Sequence, residues 1–191
     1  MPSGQNNKYY FERALFIVGE QNSGKSTQLR SMFLDRRLGK NGRIPRKGKL
    51  VETYSLSNER WLYLRLTSPH EVGECIAGTA GKNFLDKTEK RMTSHRPAVV
   101  RWNFACALQP SASNNMPDLD ETIEAFVNRF HPERTRIVFL SPDRRGSLLQ
   151  PLHTGLVSSL TSLHSHIEVC WIDAQSRTAN GVLLADFFDF T

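Results

Sequence analysis

An apolar run, Ala14-Leu15-Phe16-Ile17-Val18, enters a turn bounded by two glycines, Gly19-Glu20-Gln21-Asn22-Ser23-Gly24-Lys25-Ser26, with Thr27 behind it. Apolar residues at helical spacing follow, at Leu29, Met32 and Phe33. This stretch constrains the fold more than any other, because it sets a strand, a glycine turn and a helix in a fixed order. Gly19 and Gly24 permit backbone conformations that a Cβ forbids, so that successive N–H groups can point inward as an anion nest. A helix starting near Lys25 adds its unpaired amides and the positive end of its dipole. The Lys25 ammonium is placed to reach the outer phosphates of a polyphosphate, and the Ser26 hydroxyl offers a hard oxygen to magnesium.

The spacing GxxxxGK[ST] at residues 19–26, with a strand before it and a helix after it, resembles the P-loop NTPase superfamily. The resemblance implies a nucleoside triphosphate and Mg2+ as ligands. It places Gly19, Gln21, Asn22, Ser23, Gly24, Lys25, Ser26 and Thr27 around the nucleotide, with Ser26 on the metal.

The remaining composition sets outer bounds. A chain of 191 residues, with 39% hydrophobic and 23% charged residues, is expected to form one domain, residues 1–191, with an ordinary core. No apolar run approaches the roughly 20 residues that span a bilayer, and Met1 to Glu12 is polar without an apolar signal core, so a cytoplasmic location is expected. Cys75, Cys106 and Cys170 lack CxxC spacing and read as free thiols. The formal net charge of +6 permits an anionic partner without requiring one.

Along the chain, the first helix is expected to run to about Leu38, with Gly39 as its stop. Residues 36–49 then carry Arg36, Arg37, Lys40, Arg43, Arg46, Lys47 and Lys49 without an acid. Three readings stand for this loop: a solvated basic segment, an arginine brought over the γ-phosphate, or a contact to nucleic-acid phosphates. Lys49 to Leu56 and Glu59 to Thr67 read as a hairpin around Ser57-Asn58, with Leu62, Leu64 and Leu66 on one face and Trp61, Tyr63 and Arg65 on the other. Thr67 to Glu71 follows as a loop whose groups could touch nucleotide or water, and 72–82 as a glycine-rich connection. Further elements are a helix over Asn83–Met92, a strand over Ala98–Leu108 with Arg101 and Asn103 partly exposed, and a helix capped by Asp118 and Glu121. A buried strand over Arg136–Leu140 delivers Ser141 to Gly146 to the sheet edge where ligands bind. A leucine-spaced helix from Leu149 to Leu163, a strand over Ile167–Ile172 and a closing helix within 182–188 complete the series.

This order predicts an α/β fold of three layers, with a mostly parallel sheet, one antiparallel strand from the hairpin, and helices on both faces. The hairpin directly after the first helix resembles the topology of Ras-like small GTPases, in which one hairpin strand brings the metal-and-water loop to the γ-phosphate. The chain departs from that family's motifs. Thr67-Ser68-Pro69-His70 stands where DxxG is expected, and Ser141-Pro142-Asp143-Arg144 stands where NKxD is expected. An arginine cannot accept hydrogen bonds from guanine, so ATP is favoured over GTP. Glu71, Asp143 and Asp173 are the candidate acids for metal or water, and Lys25 and Glu71 the candidate catalytic pair. A slow ATPase or nucleotide-dependent switch with a protein effector is the leading expectation. A small P-loop kinase and a degenerate nucleotide-binding module associated with nucleic acid are the alternatives.

Overall fold

The protein is described by a computed structural model over residues 10–38, 53–76, 78, 83–95, 101–148, 158–162 and 165–189. Six strands form one sheet: β1 (Tyr10–Val18), β2 (Thr53–Ser55), β3 (Arg60–Arg65), β4 (Arg101–Leu108), β5 (Arg134–Leu140) and β6 (Ile167–Ile172). The helices are α1 (Lys25–Ser31), α2 (Phe84–His95), α3 (Leu119–Phe130) and α4 (Arg177–Asp186), and residues 158–162 are also helical. None of the helices among the described residues is long and apolar enough to cross a membrane.

The strand order is β2-β3-β4-β1-β5-β6, and every pairing is parallel except β2 with β3. Central strands buried on both faces need continuous apolar sequence, and β1 supplies it: Ala14 through Val18 is fully buried. Alternate residues then feed two cores. On one face Phe16, Phe104 and Phe139 meet α2, α3 and Leu160, and the Phe104 and Phe126 rings stack at 5.0 Å. On the other face Leu15, Ile17, Leu62, Leu64 and Val138 meet α1 and α4. The architecture is therefore α/β with helices on both sides of a mostly parallel sheet, as the order of elements predicts. The hairpin lies further from β1 than its place in the chain suggests, since β4 is inserted between β3 and β1.

Three local expectations are corrected. The first helix stops at Ser31 and passes through one 3-10 turn, Met32–Leu34, instead of reaching Leu38. Asp35 is extended there, and its carboxylate accepts from the Arg37 N–H and guanidinium, a local bond that competes with continued helix. The hairpin turn is wider than Ser57-Asn58, because the Arg60 carbonyl accepts from both Leu56 N (2.8 Å) and Ser57 N (3.1 Å). Asn103 is fully buried. It shares the α1/α4 face with Ala105 and Ala107, and its Nδ2 donates to Glu12 (3.1 Å), which also accepts from Arg60 (2.8 Å). Arg60 in turn donates to the Phe188 carbonyl (2.6 Å), so the end of the chain covers that face.

Other expectations hold: Asp118 caps α3 by accepting from Glu121 N (3.1 Å), and β6 ends at Ile172 as read. The start of the hairpin, residues 49–52, most of the connection 77–82, Pro97 with the first part of the fourth strand, and most of the helix expected over Leu149–Leu163 lie outside the described residues.

α1 and α4 approach backbone to backbone at Gly181, where a Cβ would collide with the Ser31 carbonyl. Gly→Ala within a helix ordinarily stabilises by up to about 1 kcal/mol. Here the close approach reverses the sign, and Gly181→Ala is expected to cost about 1–3 kcal/mol as an overpacked contact. Urea denaturation checks this against Val182→Ala at a neighbouring exposed position, which is expected to change stability by less than about 0.5 kcal/mol.

Candidate functional site

The parallel strands β3, β4, β1 and β5 end at one edge of the sheet, which gathers residues 66–76, 109–118, 19–24 and 141–148 into one cluster of loops. The turn leaving β1 is fixed at its start by Gly19 N donating to Leu108 O (3.3 Å) and closed by Ser23 N donating to Glu20 O (3.1 Å). Each glycine has its own reason. A Cβ at Gly19 would meet Ser23 Oγ at 2.5 Å, while Gly24 adopts φ 107°, in the left-handed region. Asn22 is also left-handed, at φ 65°, a conformation that asparagine tolerates. The Gly24 carbonyl starts α1 by accepting from Thr27 N and Gln28 N. Among the described residues no backbone carbonyl accepts from the N–H groups of Gly24, Lys25 or Ser26. Three successive amides are thus left for another acceptor.

Lys25 lies inside this turn and is only 4% exposed. Its Nζ donates to the carbonyls of Gly19 (2.9 Å) and Glu20 (2.8 Å) and stands 3.5 Å from the Glu71 carboxylate. Burial lowers the Lys25 pKa, and the nearby Glu71 charge opposes that shift. Ser26 Oγ donates to the Leu66 carbonyl (2.8 Å), so the first residue after β3 already touches the motif serine. Thr27 is half-buried behind it, and Gln21 and Asn22 form an exposed rim.

Glu71 is presented by a loop held from three sides. Its own N–H donates to Ser68 O (3.0 Å), closing a turn. Glu74 is buried and paired with Arg65 (3.0 Å) and with Lys87 of α2 (3.0 Å). His70 is fully buried, with Nε2 2.9 Å from Pro117 O and Nδ1 3.2 Å from Ser68 Oγ. A carbonyl can only accept, so the neutral ring carries its proton on Nε2 and takes the Ser68 hydroxyl at Nδ1. Burial holds the His70 pKa below its ordinary value, in keeping with that neutral form. Asn114 completes the tie by donating to the His70 carbonyl (2.9 Å). Ser68 and His70, expected to face nucleotide or water, instead lock the loop after β3 onto the loop after β4.

Of the three candidate acids, the fold brings Glu71 to the lysine. Asp143 uses Oδ1 to accept from Arg145 N (2.8 Å) and Ser147 N (2.9 Å), and Asp173 accepts from Gln175 N (2.8 Å), so each shapes its own turn. Sequence reasoning missed the main-chain bond from Arg144 N to Ser23 O (3.0 Å), which joins the loop after β5 to the 19–26 turn. It also missed the His70–Asn114 tie. The one local signal for the latter is Asn114-Asn115, both left-handed at φ 50° and 73°. In the basic stretch, Arg37 pairs with Asp35 (2.6 Å) and with Asp186 at the end of α4, a structural use remote from the turn. Residues 39–49 lie outside the described residues.

The residues present fit a polyphosphate: three amides, a buried ammonium, and the Ser23 hydroxyl, which is buried without a partner. For magnesium the turn offers Ser26 and, beside it, Glu71. Among the described residues no group of three or more His, Cys, Asp or Glu side chains is placed to hold a metal. A cavity of about 280 Å³ lined by Arg136, Val138, Cys170 and Leu184 lies between β5, β6 and α4 and includes no residue of the turn.

Gly24→Ala is expected to cost about 1–3 kcal/mol of stability through its left-handed backbone, read as a lowered urea midpoint. Compared with known proteins, the chain matches no family model and no curated protein.

Proposed function

We propose that this chain binds a nucleoside triphosphate with magnesium at the 19–26 turn and works as a slow ATPase or nucleotide-dependent switch read by a protein partner. The observation that carries this reading is the buried Lys25 ammonium, wrapped by the Gly19 and Glu20 carbonyls and faced by Glu71. An ammonium this buried, beside three amides without carbonyl partners, is a site for an anion of more than one charge.

On binding, Lys25 exchanges its carbonyl and carboxylate partners for phosphate oxygens. Ser26 Oγ, which donates to the Leu66 carbonyl, would hold magnesium, which would supply neutralisation of phosphate charge. Glu71, released from Lys25, is then the acid available to orient water and accept its proton as the bond to the γ-phosphorus forms and the bond to the bridging oxygen breaks. One carboxylate drawn away from an ion pair is modest equipment for orienting water, and this favours slow turnover. In this reading two contacts, Lys25–Glu71 and Ser26–Leu66, give way to the triphosphate, and their loss frees the loop tied to α2 through Glu74 and Lys87. That loop is the surface a partner would read.

The base preference is read from the loop after β5, where Asp143 turns its Oδ1 to two N–H groups of its own turn instead of toward a base N–H, which favours ATP. Cys75, Cys106 and Cys170 are all free, in keeping with a reducing, cytoplasmic setting.

Lys25→Ala is expected to weaken Mg·ATP binding by about 1.5–3 kcal/mol, the worth of a charge-assisted contact, while the fold persists. Calorimetric titration checks it, and undiminished affinity would remove the site. For Glu71→Gln, the expected outcome is retained binding with hydrolysis lost in a labelled-phosphate release assay. Turnover equal to the parent would take Glu71 out of the reaction.

A further inference from the structure

The loop after β5 brings a second cation to the turn. Arg144 donates its main-chain N–H to Ser23 O (3.0 Å), and its Cβ, Cδ and Cγ lie 3.3, 3.5 and 3.7 Å from the point a Cβ on Gly24 would occupy. The aliphatic stem of the arginine therefore crosses the glycine next to the three unbonded amides. Its position is set by the loop itself, since Asp143 accepts from Arg145 N and Ser147 N, and Gly146 N donates to Asp143 O (3.0 Å). The side chain is exposed, and among the described residues no carboxylate or carbonyl partners its guanidinium.

The electrostatics of this arrangement are lopsided. Lys25, the amides at the start of α1 and Arg144 converge on one turn, against the carboxylates of Glu71, 3.5 Å from Lys25, and of Glu20, whose charge also acts on Lys25. Arg37, Arg65 and Arg136, by contrast, each reach a carboxylate, at Asp35, Glu74 and Glu168. Arg144, with its stem laid across Gly24, is an exposed cation beside the three amides.

Resting on the triphosphate reading above, we infer that Arg144 binds the phosphates nearest the sugar, at the opposite end of the polyphosphate from Glu71. The direction comes from the sheet. Glu71 approaches the turn from the β3 side and fixes where the terminal phosphate meets Lys25 and Ser26. Arg144 approaches from β5, on the other flank of β1. A polyphosphate lying along the turn with its terminal group at Lys25 runs toward β5, over Gly24 and under the guanidinium. A guanidinium meets two phosphate oxygens at once and keeps its charge at any working pH, so Arg144 sets affinity for diphosphate and triphosphate alike.

The test is calorimetric titration of the full chain with Mg·ADP, Mg·ATP and magnesium tripolyphosphate, using Arg144→Ala, Arg144→Lys and Arg145→Ala. Arg144→Ala is expected to weaken all three by a common factor of about ten to a hundred, with Arg144→Lys in between and Arg145→Ala within about twofold of the parent. Unchanged affinity in Arg144→Ala overturns the inference alone, provided the parent binds. So does a loss confined to Mg·ATP and tripolyphosphate, sparing Mg·ADP, which would put the arginine at the terminal phosphate. A loss confined to the nucleotides, sparing tripolyphosphate, would make it a sugar or base contact and overturns it too, as does an equal loss in Arg145→Ala. A parent that binds none of the three probes overturns the triphosphate reading and this inference together.

Discussion

A buried ammonium dictates the shape of everything around it. Removing a lysine charge from water is costly unless each donor finds an acceptor, and at Lys25 the acceptors are two main-chain carbonyls and one carboxylate. For the Gly19 and Glu20 carbonyls to face inward, the chain must fold back sharply, and the left-handed residues at 22 and 24 accomplish this. For Glu71 to arrive, the loop after β3 must cross the end of β4. The ring of ties through His70, Pro117 and Asn114 holds it in that crossing. Local backbone conformation and loop anchoring thus meet the same electrostatic demand.

The interposed β4 also explains why the site is assembled from so many pieces. With β4 and β5 flanking β1, the loops after both strands sit beside the turn, and each is joined to it or to its partner loop by a main-chain or side-chain bond. An asparagine and a histidine close the β4 side, and a main-chain amide closes the β5 side. Hydrogen bonds of this kind tie each loop to the next, so the placement of one depends on its neighbours.

What could be read from the sequence was what is written locally. The turn at 19–26, the alternation of β3, the Asp118 cap and the continuous apolar run of β5 each carry their signal within a dozen residues. The parts that were missed depend on residues far apart in the chain. Asn103 looks half-exposed until residues 187–189 are seen to cover it, and Ser68 and His70 look like ligand contacts until Pro117 and Asn114 are seen to claim them. The premature end of α1 was missed for a different reason. Helical spacing of apolar residues continues past Ser31, but the Asp35–Arg37 bond outcompetes it. Among the acids, local pattern could nominate Glu71, Asp143 and Asp173 equally. Only the folded positions separate a carboxylate that faces a lysine from two that shape turns.

The contact between Gly181 and the Ser31 carbonyl reaches beyond packing. α1 spans seven residues, with Lys25 at its first position and that contact at its last. A rod so short, braced at its far end, has little room to pivot, and the height of the ammonium in its cradle is therefore governed partly from the opposite terminus of the polypeptide. The clamp of Arg13 and Arg60 on residues 187–189 belongs to the same brace. Changes near residues 181–189 thus reach the geometry of the 19–26 turn from the far end of α1.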